Sequence, residues 1–155
     1  MEIRFAKTED VPDILRLLRQ VGRVHHEARP DIFRGDAQKY GPSQIIAMLD
    51  QPGAPIFVAT EGDAVLGYCF CMLKLHEKDP VLCDGKELYI DDLCVDENRR
   101  GKGIGKTLYE TACRYAKTSG CDRITLNVWY GNDSAMAFYK SIGMQPQKLT
   151  MEQIV

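Results

Sequence analysis

No stretch of this 155-residue chain approaches the roughly 18 consecutive apolar residues that a membrane helix needs. Nor is there an excess of one charge. The 20 Lys and Arg stand against 22 Asp and Glu, a net charge of −2, whereas a dedicated nucleic-acid binder shows a basic surplus. An apolar leader is missing too, because Met1-Glu2-Ile3-Arg4-Phe5 carries charges where a signal peptide places its apolar core. Internal repeats, low-complexity runs and linker-like stretches are also absent. These absences set the expectation of a cytoplasmic protein, without membrane or nucleic-acid partners, built as one domain over residues 1–155. A chain of this length buries about 70% of its unfolded surface, enough for a core without covalent staples.

Cysteine is not scarce, but it is not arranged for metal. Of the six, Cys69 and Cys71 form a Cys-x-Cys inside an apolar run. A zinc clamp uses Cys-x-x-Cys, and no histidine lies within ligand spacing of the pair. In a strand the two would share a face as small buried hydrophobes. No metal is expected, and without a secretory leader the thiols are expected to stay reduced.

The apolar pattern predicts a mixed α/β domain in the order βααβββαβαβ. Glu2–Phe5 alternates as a short strand. Thr8 is placed to cap a helix on which Val11, Ile14, Leu15, Leu18 and Val21 recur at helical spacing. His25 to Pro42, broken by Pro30, Gly35 and Gly41, is expected to be a loop or broken helix, followed by a short helix over 43–49. Strands are expected over 55–59, 64–75 and 87–95. Ile104 to Thr118 reads as a strong amphipathic helix, with Ile104, Leu108, Ala112, Tyr115 and Ala116 on one stripe and Gly120 closing it. A strand over 123–129, a helix capped by Asn132 or Asp133 and running to Ile142, and a last strand over 147–153 complete the reading.

The stretch Arg99-Arg100-Gly101-Lys102-Gly103-Ile104-Gly105-Lys106 lies between a strand and that strong helix. Glycines let backbone N–H groups come close to a ligand, and the helix start aims its own N–H groups and positive dipole end at the same space. With four cationic side chains nearby, this is an anion cradle suited to a pyrophosphate. A Walker loop requires Gly-x4-Gly-Lys-[Ser/Thr], and a dinucleotide fingerprint requires Gly-x-Gly-x-x-Gly early in a βαβ unit. Neither fits. Arg100-Gly101-Lys102-Gly103-Ile104-Gly105 matches the [Arg/Gln]-x-x-Gly-x-[Gly/Ala] pattern of acyl-CoA pyrophosphate loops. A solvated glycine-rich turn is the plain alternative.

A second segment, Asn132-Asp133-Ser134-Ala135-Met136-Ala137-Phe138-Tyr139-Lys140-Ser141-Ile142-Gly143-Met144, follows in the order expected of one family. On these two segments, and on Leu93-Cys94-Val95 before the loop, the chain resembles the GNAT superfamily of acetyl-CoA-dependent N-acyltransferases. The resemblance implies a central, twisted, mostly antiparallel mixed sheet of six to seven strands with about four helices. It also implies acetyl-CoA as co-substrate and transfer of its acetyl group to a primary amine of a small molecule, peptide or protein by direct attack. A non-catalytic acyl-CoA sensor or interaction module on the same fold is the alternative, and a homodimer is left open.

Residue by residue, the resemblance implies that the backbone of Leu93, Cys94 and Val95 pairs with the pantetheine arm. Arg100, Gly101, Lys102, Gly103, Ile104, Gly105 and Lys106 would hold the pyrophosphate. Asn132, with Ala135 in the helix it caps, would lie near the pantetheine or acyl region. Tyr139 would be the general acid that protonates the departing thiolate, against a plain role as a core aromatic. Cys94 as an acyl-accepting nucleophile is the weaker reading, since no histidine is near it in sequence and the family transfers directly.

The acceptor's ammonium must lose a proton before it attacks, and Asp91 and Asp92 are candidates to take or anchor it. Strand parity places Asp91 on one face with Leu93 and Val95, with a strand-end bulge able to shift this. Both could instead merely border a solvated cleft. Glu87 and Tyr89 are weaker candidates. His25 and His26 lie in the segment through Phe33 where the family varies its acceptor pocket, and their identity does not name the acceptor.

Overall fold

The computed structural model describes residues 1–155. Its frame is a five-stranded sheet of β1 (Glu2–Phe5), β2 (Ile56–Glu61), β3 (Ala64–His76), β4 (Gly85–Val95) and β5 (Arg123–Leu126), side by side in that order. Neighbours run antiparallel except β4 and β5, which are parallel because a helix joins them. The helices are α1 (Val11–Ala28), α2 (Pro42–Leu49), α3 (Ile104–Thr118) and α4 (Asp133–Ser141).

Strand alternation sends Ile56, Val58, Tyr68 and Phe70 to one face, where Ile14, Leu17 and Leu18 of α1 and Ile45 of α2 cover them. Phe57, Ala59, Cys69, Cys71, Leu88 and Ile90 point to the other face and meet Ile104, Leu108, Ala112 and Ala116 of α3. Each fully buried side chain of this kind contributes about 1.5–3 kcal/mol. Cys69 and Cys71 sit together in that core, their sulfurs 3.6 Å apart, and all six cysteines are free thiols. A hydrogen-bonded ion pair of Arg4 with the buried Asp10 (2.7 and 2.9 Å) ties β1 to the start of α1.

Four expectations are corrected. Thr8 does not cap α1; the Asp10 carboxylate accepts the Lys7 N–H at 2.8 Å instead. The first helix runs on to Ala28, so His25 and His26 lie in its last turn rather than in a loop. The fifth strand ends at Leu126, not Trp129. The segment 147–153, where Leu149 and Met151 alternate as a strand would, forms none: no neighbouring strand offers it backbone partners, and both side chains are largely exposed. The sheet therefore has five strands rather than six to seven. No helix is long and apolar enough to cross a membrane.

Candidate functional site

The site begins with a disagreement between two strands. Pairing of β4 with β5 stops at Ile90 and Leu126. At the next residue the register with β3 shifts, so that Phe70 faces Asp92 while Cys71 faces Ile90, and Asp91 is the extra residue of a β-bulge. Beyond Ile90, the edge of β4 that faced β5 has no strand beside it. The bulge also inverts parity. Leu88 and Ile90 belong to the α3 face, yet Asp92 and Cys94, at the same parity, lie on the α1 face. Leu93 and Val95 pack with the α3 side.

The expectation that Asp91 shares their face is thereby corrected. Its carboxylate turns toward the segment between α1 and α2, where the Tyr40 hydroxyl donates to it at 2.6 Å and Lys39 Nζ lies 2.8 Å away. Lys39 Nζ also donates to the Asp91 carbonyl at 3.1 Å. Tyr40 stacks on Phe70, ring centres 5.6 Å apart, so this latch rests on the core.

Asp92 has a different environment. The Tyr68 hydroxyl donates to it at 2.9 Å. Burial pushes its carboxyl up to about 6, against the opposing pull of the Lys39 charge and the Tyr68 hydrogen bond. Tyr139, on α4, lies in the same neighbourhood. Burial first, then the nearby Cys69 and Asp92, raise its phenol well above the ordinary range, making it a weaker acid than a free phenol. Cys94 does not look into this space. Its thiol is buried against the Leu17 carbonyl of α1, 3.8 Å away, and burial raises it to about 12, so no thiolate is available there.

Next to this opening is the glycine loop. Gly101 and Gly103 have φ of +77° and +78°, a conformation L side chains rarely adopt, and a Cβ at either would meet no protein atom within 4 Å. Gly103 is the N-cap of α3, and no side chain caps that helix. The first helical N–H to find a carbonyl is that of Thr107, to Gly103 at 3.0 Å. The N–H groups of Ile104, Gly105 and Lys106 therefore remain available, with the positive end of the helix dipole behind them. Lys102 and Lys106 are exposed there, and Arg100 Nε folds back onto the Val95 carbonyl at 3.2 Å. A Cβ on Gly105 would sit 3.4 Å from the Phe138 ring, so α3 and α4 meet at that point. Asn132 caps α4 by accepting the Ala135 N–H at 3.1 Å.

Several residues at this opening have no signal in the sequence. Lys39, Tyr40 and Tyr68 reach the two aspartates from 24 to 52 positions away. Phe33 sits between His25 (centres 4.9 Å apart) and Trp129 (4.9 Å, edge-on), an aromatic wall joining α1 to the segment after β5. The single tryptophan just past a strand end is the one clue that could have drawn attention there. His26 Nδ1 is 2.7 Å from the Phe33 carbonyl and holds that loop. Glu87 lies toward the other end of β4, 3.9 Å from His76, whereas the Tyr89 hydroxyl accepts from Asn127, just past the end of β5, at 3.0 Å.

The chain as a whole is similar to known proteins. The family model described as Acetyltransferase (GNAT) family matches residues 21–144. The thialysine N-epsilon-acetyltransferase of Bos taurus is 31% identical over 153 residues, spanning 92% of this chain and 83% of that protein. N-alpha-acetyltransferase 30 of Xenopus laevis is 34% identical over 93 residues, but this covers 59% of this chain and 32% of that protein. Among solved structures, a mutant of the BH1408 protein from Bacillus halodurans superposes with a TM-score of 0.96 at 38% identity, covering 100% of this chain and 99% of that one.

Proposed function

The chain belongs to the GNAT family of acetyltransferases, and from that membership we propose how its residues divide the work. The protein is an N-acetyltransferase, an enzyme that moves an acetyl group onto an amine. Acetyl-CoA is the donor that the family uses, and when bound it supplies a thioester carbonyl carbon for the amine to attack. The residues present fit such a donor. Gly101 and Gly103 leave open backbone, the uncapped start of α3 and Lys102 and Lys106 suit a pyrophosphate, and the unpaired edge of β4 from Leu93 to Val95 suits an amide-bearing arm.

Within this frame Asp92 takes the proton that the acceptor's ammonium must lose. A carboxylate at about 6 is ionised at neutral pH, yet is a better base than an ordinary one. Tyr139 gives its phenolic proton to the departing thiolate. Asp91, engaged by Lys39 and Tyr40, orders the acceptor side of the opening. The observation that carries this reading is the bulge at Asp91, beyond which the β4 edge is unpaired and Asp92 faces Tyr68.

For the acceptor, we propose a primary amine at the end of a short chain, as in thialysine. Support comes from the bovine relative, which matches nearly the whole length of this chain, and from the two carboxylates beside the opening. The test is thiol release from acetyl-CoA across thialysine, lysine, polyamines, aminoglycosides and peptides with free N-termini. Turnover with chain-terminal amines is expected. Preference for peptide N-termini would overturn the acceptor assignment, and tight acetyl-CoA binding without turnover on any amine would point to a sensor.

A further inference from the structure

Lys39 is the one primary amine that the fold itself delivers to the bulge. Its Nζ makes two polar contacts there, with the Asp91 carboxylate at 2.8 Å and the Asp91 backbone carbonyl at 3.1 Å. Its charge is also felt by Asp92. The chain between α1 and α2 carries this side chain across 52 positions of sequence to the residue where β4 parts from β5. The stem is long and unbranched, and the side chain is 44% exposed, so Nζ can swing while its backbone stays anchored by Tyr40 on Phe70. In shape and charge this is an alkyl ammonium held at the acceptor position.

We propose that Lys39 is a self-acetylation site: in the absence of an external acceptor, its ε-amine receives the acetyl group within the same molecule. The inference rests on the proposed acetyl-CoA site and deepens it. The step balances in the same way as transfer to an external amine. The Lys39 ammonium gives one proton to the Asp92 carboxylate. Its nitrogen forms the new C–N bond to the acetyl carbon as the C–S bond breaks and sheds its second proton to solvent. The thiolate takes a proton from Tyr139, which is restored from solvent, and Asp92 returns its own proton to solvent. The products are an amide on Lys39, free thiol and one proton released to solvent.

Acetylation removes the Lys39 charge and with it the ion pair to Asp91, leaving that carboxylate free to hold a cationic acceptor. The modified enzyme should therefore show a lower KM for diamines than the unmodified one.

The test is incubation of the full chain with isotopically labelled acetyl-CoA, followed by peptide mass spectrometry. Lys117, at the far end of α3, and Lys148 serve as exposed controls. Label at Lys39 should appear at least tenfold faster than at either control, with a rate constant independent of protein concentration. Tyr139→Phe should slow it, and Lys39→Arg should remove the signal while keeping the charge. Labelling of Lys39 no faster than Lys117 overturns the inference, as does a rate that rises with protein concentration. Amine-dependent thiol release measured in parallel separates the two failures. Turnover without Lys39 labelling defeats only the self-acetylation; neither signal defeats the reading of the site itself.

Discussion

Tyr139 and Asp92 have opposite tasks, and burial raises both groups, which favours the base and not the acid. Asp92 is held as a stronger base than a surface carboxylate, while Tyr139, protonated at neutral pH as any phenol is, becomes a weaker acid than a free one, which limits the gain from its proton. Removing the phenol in Tyr139→Phe should lower kcat toward the low end of the roughly 10²–10⁴-fold range of general acids, since water can also protonate a thiolate. The acetyl-CoA thermal shift should survive, and an unchanged kcat under chemistry-limited conditions would return Tyr139 to a packing role. For Asp92 the sign can be worked out on two axes. Activity needs the ionised form, so kcat/KM should fall as pH drops through about 6. Stability runs the other way. A folded-state value above the unfolded one of about 3.9 means the fold penalises the charge, fully above pH 6 and not at all below pH 4. Asp92→Asn should therefore lose activity and gain Tm at pH 8, the gain shrinking as pH falls from 6 to 4. A variant less stable at pH 8 would show that Asp92 is held chiefly by its hydrogen bond to Tyr68.

Among the elements, α3 and the loop before it were legible because their signals are local. The apolar stripe from Ile104 to Ala116 and the Gly120 stop need no knowledge of the rest of the chain, and the helix spans 104–118 as read. The side on which Asp91 lies was not legible. Parity along β4 holds until a bulge inserts one residue, and that bulge is a property of the pairing with β3. The end of β5 follows from the same event: a strand whose partner turns away at Ile90 has nothing to bond beyond Leu126, whatever the propensity of Val128 and Trp129. The Lys39 and Tyr40 latch depends on a contact over 51 or more positions, which spacing cannot reveal. The loop offers its own prediction. In Gly103→Val a β-branched residue must adopt φ near +78°, at about 1–2 kcal/mol, and its side chain fills the open space before the α3 N–H groups. A modest drop in Tm and loss of most acetyl-CoA affinity are expected. Affinity retained in calorimetric titration would remove the loop from the binding site.

Across the whole molecule, burial is distributed unevenly, and this sets where ligand binding should be felt. The sheet is covered by α1 and α2 on one face and by α3 on the other, each contributing fully buried residues. By contrast, no residue of α4 is fully buried, and the helix meets α3 where Phe138 packs over Gly105. Segments with so few buried contacts open at lower free energy than the global transition. A donor lying between the α3 loop, the β4 edge and α4 would bridge this loosely held part to the well-packed one. Saturation at 100 times Kd should add about 2.7 kcal/mol, or roughly 5–10 °C in Tm at about 2–4 °C per kcal/mol for a chain of this size. The local effect should be sharper than the global one. In hydrogen exchange with acetyl-CoA, amides of the 101–106 loop and of 132–143 should slow the most. Those of α1, already limited by near-global opening, should change little beyond the common gain. Protection spread evenly along the chain, or concentrated on α1, would mean that the ligand sits elsewhere and that α4 is not part of its site.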